Sequence, residues 1–223
     1  DEDAAFSVTP AGEVLWRGAL AARVVTTPEG ADPFAPQVLL IGDLGPQPAR
    51  ERAARRVEAW LASEAGRALR ELRRLRHAVE SGALKGLPRG IAFRLIEGGG
   101  LIDRRDVERD LHALSQVERR TLRSFAVRVG AHSVWLPGLQ KPRGRLFAQA
   151  FVEDGAHVLA LAPSPRRLSA HGLRLVAGRL IPIETLERMA ELRAGNNGRL
   201  SPDALAELGW SAAEARAVIA ALQ

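Results

Sequence analysis

Between residues 48 and 80, apolar side chains recur every three to four positions at Val57, Trp60, Leu61, Ala65, Ala68, Leu69, Leu72, Leu75 and Val79. That period puts them on one stripe of an α-helical pattern, the longest in the chain, and such a stripe has to be covered. Whatever this chain folds into is therefore built against that stripe. Arg52, Arg56, Arg67, Arg70, Arg74 and His77 mark the opposite side, which reads as a solvated charged face or as a surface for a polyanion. Gly66 is the expected bend or break, since glycine costs about 1 kcal/mol relative to alanine in a helix interior.

Residues 1–47 read as a small β unit. Ala5–Thr9 and Val14–Trp16 flank the turn-type sequence Pro10-Ala11-Gly12-Glu13, Ala19–Thr26 follows Arg17-Gly18, and Gln37–Gly42 is a candidate buried strand. Strands this few and short cannot enclose a core, so the unit has to lean on the helices after it. Ser81-Gly82 ends the long pattern, and Pro88 opens a helix carrying Ile91, Phe93, Leu95 and Ile96. Gly98-Gly99-Gly100 closes it; the run lacks the G-x-x-x-x-G-K-[ST] spacing and follows a helix, so it reads as a helix end rather than a phosphate loop. Asp103 is a cap with Ile102 placed to staple Val107, and Ser115 with Glu118 makes a capping box.

The stretch Glu118–Pro142 begins as a basic helix, turns into the β-like run Val127-Arg128-Val129, crosses Val134-Trp135-Leu136 and closes on Lys141-Pro142. A helix over Leu146–Val152 completes a basic helical domain, 48–152. Residues 153–168, with Gly155, Pro163 and Pro165, read as a linker or long loop. Residues 169–223 open with a hairpin, Leu173–Val176 and Arg179–Ile183 around Ala177-Gly178, and continue as helices at 184–194, 201–208 and 211–222. Only Gly209 and Trp210 separate the last two, which is the spacing of a helix-turn-helix or winged-helix unit. The last helix offers few polar groups (Ser211, Glu214, Arg216, Gln223), so it is better suited to packing than to reading bases. The fold class predicted is α+β, mostly α-helical: a small N-terminal β unit, a central helical bundle and a helix-turn-helix-like C-terminal unit.

The residue inventory excludes several function classes. The absence of Cys removes disulfides and thiolate metal sites, and the five His are too dispersed for a local ligand pair. No Walker A, H-E-x-x-H or G-x-S-x-G pattern occurs, so no catalytic residue, cofactor site or metal site is assigned and the chain alone is not expected to be a catalyst. No apolar run approaches membrane-spanning length, and the acidic start Asp1-Glu2-Asp3 is unlike a secretory signal, which points to a cytoplasmic location without a membrane partner. There is no initiator Met and the sequence stops inside a helical pattern, so the chain is expected to continue on both sides.

Charge is unevenly spread. Residues 48–145 carry 22 Lys and Arg against 11 acids, whereas residues 1–47 carry 2 against 7 and residues 146–223 carry 8 against 8. A basic middle between non-basic flanks suits a polyanion. With 30 Arg and only Lys85 and Lys141 as lysines, the same composition also follows from a GC-rich genome. The candidate nucleic-acid contacts are Arg104, Arg105, Arg119, Arg120 and Arg123 on the two short helices, then Arg128, Lys141, Arg143 and Arg145. Trp135 is either a stacking surface or a core residue.

The segments Gly90–Glu97, Leu111–Gly130, Leu136-Pro137 and Lys141-Pro142, with L-x-x-F-x-V-R-V-G-A-H-S-V-W-L-P-x-L-x-K-P over residues 122–142 as the most specific part, are similar to the C-terminal region of Suv3-like (MgpS-type) helicases, superfamily 2 helicase-related proteins of bacteria. The similarity extends to Phe6–Gly18 and Leu200–Ile219. Ala126 departs from the family, which has Gly before the V-R-x-G segment. The resemblance implies two RecA-like motor domains elsewhere in the same polypeptide, binding ATP and Mg²⁺, with this chain as the accessory part that completes the ring around a strand. None of the motor's motifs occurs here, so no ATP-binding residue carries over. The implied activity is a sequence-indifferent grip on single-stranded or partly duplex RNA or DNA, made of cations for phosphates and flat groups for stacking. The alternatives are a free-standing DNA-binding regulator acting through residues 184–222 and a protein-interaction scaffold whose Arg-rich middle docks an acidic partner.

Overall fold

The apolar stripe is divided between two helices, α1 (Gln47–Ala68) and α2 (Arg70–Glu80), in a computed structural model that describes residues 2–27, 30–42, 45–152 and 164–223. The break falls at buried Leu69 (φ −104°, ψ 31°), not at Gly66. Gly66 lies within α1, and a Cβ there would come within 2.6 Å of the Arg73 guanidinium. The glycine therefore does not break the helix.

Strands β1 (Phe6–Val8), β2 (Glu13–Trp16), β3 (Ala19–Val24) and β4 (Val38–Leu40) form an antiparallel meander in sequence order. Arg17 (φ 49°) and Gly18 (φ 82°) make the two-residue hairpin that pairs Trp16 with Ala19, the left-handed turn that matches strand twist. The meander leans on α1 as its short strands require. Phe6 packs on Trp60 with ring centroids 5.3 Å apart, and Val8, Val14, Ala22 and Val24 belong to the same core as Leu61, Leu75, Ile91, Leu136 and Phe147. Arg76 fastens the loop before β4 to α2, with Nη1 2.8 and 2.9 Å from the two Asp32 oxygens.

Helix α3 (Gly86–Glu97) ends in a turn whose Gly99 and Gly100 have φ of 71° and 91°. The Gly100 N–H returns to Leu95 O at 2.8 Å, as a helix end does. The chain then enters a strand that the sequence pattern does not announce, β5 (Leu101–Asp103), in which Ile102 pairs with Val134. A 3₁₀ turn capped by Asp103 (Arg104–Val107), α4 (Glu108–Ala113) and α5 (Gln116–Ser124) follow; Ser115 and Glu118 form the capping box expected for α5. Strands β6 (Arg128–Val129) and β7 (Ser133–Trp135) complete a second antiparallel sheet, ordered β5-β7-β6.

After the short α6 (Pro137–Gln140), α7 spans Pro142–Ala150, beginning four residues earlier than expected. Pro142 occupies its first turn, where the missing N–H has no intrahelical role. Arg143 and Arg145 are thus helical rather than part of a basic loop. Of the expected linker, residues 153–163 lie outside the described residues; its remainder opens α8 (Pro165–Ala170), capped by Ser164.

The C-terminal unit has its own core of Val176, Ile181, Leu186, Met189 and Val218. Strands β8 (Leu173–Val176) and β9 (Arg179–Pro182) turn through Ala177 (φ 51°) and Gly178 (φ 74°), and α9 (Ile183–Ala194), α10 (Pro202–Leu208) and α11 (Ala212–Leu222) follow close to their expected bounds. Helix makes up about 56 % of the described residues, so the fold is a mostly α-helical α+β. No helix among the described residues is long and apolar enough to cross a membrane.

The C-terminal unit is fastened to the second sheet by polar contacts. Glu187 of α9 accepts the backbone N–H groups of Ala131 and His132 in the β6–β7 turn. Arg174, its side chain only 9 % exposed, pairs with Asp103 and donates to His132 O. Ser169 Oγ donates to Gly99 O at 2.9 Å, and Arg105 donates to Ala221 O at 2.9 Å, at the end of α11.

Candidate nucleic-acid interface

The basic helix α5 stops because the chain reverses through Phe125-Ala126-Val127. Ala126 adopts φ 64°, the left-handed region that favours glycine, and its N–H closes on Arg123 O at 2.9 Å. The backbone here is one that suits glycine, and an alanine bears the strain. Arg74 of α2 lies over the Phe125 ring, 5.1 Å from its centroid, which ties this reversal to the long helix pair.

Two basic depressions flank the reversal. One, about 320 Å³, has Leu111, Leu122 and Val127 among its walls and is rimmed by Arg104, Arg119, Arg123 and Arg128. The other, about 800 Å³, is lined by Arg70, Arg73, Arg74 and His77 of α2 beside Ala126. Glu71 also lines the second, but its carboxylate is committed: Oε2 accepts the Gly138 N–H at 2.7 Å at the start of α6.

The cations named from sequence divide into two groups. Arg104 is held by Glu108 (Nε–Oε2 2.8 Å) and donates to Gly130 O at 2.7 Å. Arg105 pairs with Asp103 at 2.9 Å, and Arg119 donates to Leu111 O at 2.6 Å and Leu114 O at 3.3 Å. Arg143 is bound to Glu64, and Arg145 donates to Gln140 at 3.1 Å and lies 3.3 Å from Glu184. These five hold the fold together. Arg120, Arg123, Arg128 and Lys141 are exposed and, among the described residues, make no ion pair or side-chain hydrogen bond. Trp135 is half-buried in β7, opposite Leu101 on one side and Arg128 on the other.

The face of α2 gains a setting that helical periodicity does not supply. Arg70, Arg73, Arg74 and His77 are spaced i, i+3, i+4 and i+7, so they share one helix face. That signal is in the sequence, but it describes any solvated basic face equally well. Only the fold sets it beside Ala126, next to Arg123 and Arg128. Arg70 and Arg73 are exposed and, among the described residues, also make no ion pair or side-chain hydrogen bond. Unpaired guanidiniums keep their donors for phosphate oxygens, whereas those already held by carboxylates and carbonyls contribute less.

Two local shifts follow from the fastening of the C-terminal unit. Burial alone would raise the Asp103 carboxyl, but hydrogen bonds from the Arg105 side chain and backbone, with the Arg174 charge, outweigh it and hold Asp103 below the usual carboxylate range. Burial pushes the His132 imidazole down, and the Arg174 and Arg193 charges add to that against the pull of Glu187. Among the described residues, no group of three His, Asp or Glu side chains is placed to hold a metal ion. No protein-family model, curated protein or solved structure matches this chain.

Proposed function

We propose that this chain is a non-catalytic nucleic-acid grip, the accessory region of an ATP-dependent helicase that holds single-stranded RNA or DNA without sequence specificity. One observation carries the reading: Arg70, Arg73, Arg123 and Arg128, all exposed and without protein partners among the described residues, border adjoining depressions on either side of Phe125–Val127. Counterion release from a tracked backbone is the driving force such a surface supplies, and it is indifferent to base identity. ATP and Mg²⁺ would belong to motor domains in the same polypeptide, in the cytoplasm. The regulator alternative is weakened by α11, which buries Ala215 and Val218 and has its last turn held by Arg105.

The test is binding of single-stranded oligonucleotides of several unrelated sequences, followed between low and moderate salt. The expected result is affinity that varies little with sequence and falls linearly in log–log form, by about 0.7 per neutralised phosphate. Absence of binding even at low salt overturns the grip. The helicase context is tested by the coding sequence upstream of Asp1, where a Walker A and a D-E-x-[HD] motif support it and a start codon refutes it.

A further inference from the structure

The smaller depression differs in kind from the α2 face, because it combines an exposed valine with two classes of arginine. Its volume of about 320 Å³ falls at the lower end of small-ligand sites. Leu111, Leu122 and Val127 close its floor but are buried, and Val129, 43 % exposed, supplies the apolar surface at its edge. Arg104 and Arg119 are fixed through their N–H edges, to Glu108 and Gly130 O and to the Leu111 and Leu114 carbonyls. A guanidinium held by its edges cannot wrap a phosphate, but it keeps its planar faces for stacking on an aromatic ring. Arg123 and Arg128 are free to pair with phosphate. Glu108, which pairs with the rim residue Arg104, is neutralised by it and so does not repel an anion there.

We infer that this cleft binds one nucleoside monophosphate unit, its base against the fixed guanidiniums and the exposed edge of Val129 and its phosphate on Arg123 and Arg128. The inference rests on the nucleic-acid reading above and adds to it a discrete subsite. One nucleotide of a bound strand and a free nucleotide present the same chemistry to it.

The experiment titrates the folded chain with AMP and with UMP, following backbone amide resonances, with adenosine alone and inorganic phosphate alone as controls. Saturable shifts centred on residues 122–129, with affinity at least tenfold above either control, are expected. Val129→Trp places a large side chain at an exposed, strand-compatible position on the rim, and is expected to weaken monophosphate binding at least tenfold while changing oligonucleotide affinity less than threefold. Arg123→Ala, also exposed, is expected to bring monophosphate affinity close to that of adenosine. Competition between an oligonucleotide and AMP would identify the occupant as a strand nucleotide; saturable AMP binding without competition would identify a free one. Inorganic phosphate binding as tightly as AMP, or AMP binding untouched by Val129→Trp, overturns the cleft. If oligonucleotides bind at low salt while AMP does not, the cleft falls and the grip stands; if neither binds, both fall.

Discussion

Glu187 accepts the backbone N–H of His132 at 3.1 Å, so a carboxylate on α9 closes a turn 55 residues earlier in the chain. The same carboxylate takes the neighbouring Ala131 N–H, and two adjacent amides converging on one anion form a small backbone nest. Replacing Glu187 with Ala leaves both amides without that partner. The expected loss is about 1–3 kcal/mol of docking between α9 and the second sheet. Hydrogen exchange at Ala131 and His132 measures it; unchanged protection in the variant would show that the contact does not hold the C-terminal unit in place.

Docking should also weaken in acid, in two steps. The folded His132 and Asp103 both ionise below their ordinary values. The unfolded chain therefore takes up more protons as pH falls, and each group's contribution is complete above its unfolded pKa and is lost as pH drops through the folded one. The His132 window opens below about 6.5 and that of Asp103 below about 3.9. Denaturant midpoints from pH 8 to 2 are expected to show wild type losing ground to His132→Gln in the first window and converging with Asp103→Asn in the second. Parallel curves for all three proteins would contradict this.

The α2 face can be separated from the structural arginines by salt dependence. Replacing Arg70, Arg73 and Arg74 together with Ala is expected to reduce the slope of log affinity against log salt by about 2. It should leave stability nearly unchanged, since these side chains are exposed and Arg74 loses only its contact with Phe125. Arg119→Ala should do the reverse, lowering stability by about 1–3 kcal/mol because the Leu111 and Leu114 carbonyls lose their donor. Equal slopes in wild type and the triple variant would remove α2 from the interface.

Ala126 offers a gain instead of a loss. A left-handed alanine carries about 1–2 kcal/mol of strain, and part of the relief that glycine brings is offset by its extra freedom in the unfolded chain. Ala126→Gly is expected to stabilise by about 0.5–1 kcal/mol, and Ala126→Val to destabilise. Thermal unfolding of the pair decides it; a glycine variant less stable than wild type would contradict the strain at φ 64°.

Local signals in the sequence carried well into the structure. The hairpin at Ala177-Gly178, the capping box at Ser115 and the helix end at Gly98–Gly100 are each written within a few residues. What sequence could not convey is pairing at a distance. Strand β5 has three residues and exists because Leu101, Ile102 and Asp103 meet Trp135, Val134 and Ser133. Arg143 reads as a free cation until its partner, Glu64, arrives from 79 positions away. Conversely, the α2 arginines read as ordinary solvated charge until the reversal at Ala126 is folded against them.

The first core also constrains the order in which a growing chain can fold. The Ala31 N–H donates to Phe151 O at 2.7 Å, and Val8 and Val14 share a core with Phe147 and Phe151. The N-terminal meander cannot be sealed on that side until α7 has left the ribosome, so it must wait half-covered while more than a hundred further residues are made. The C-terminal unit, whose core among the described residues draws on residues 176–222, faces no such delay. Until α7 has emerged, Val8 and Val14, buried in the finished core, belong to the surface that a chaperone would have to cover.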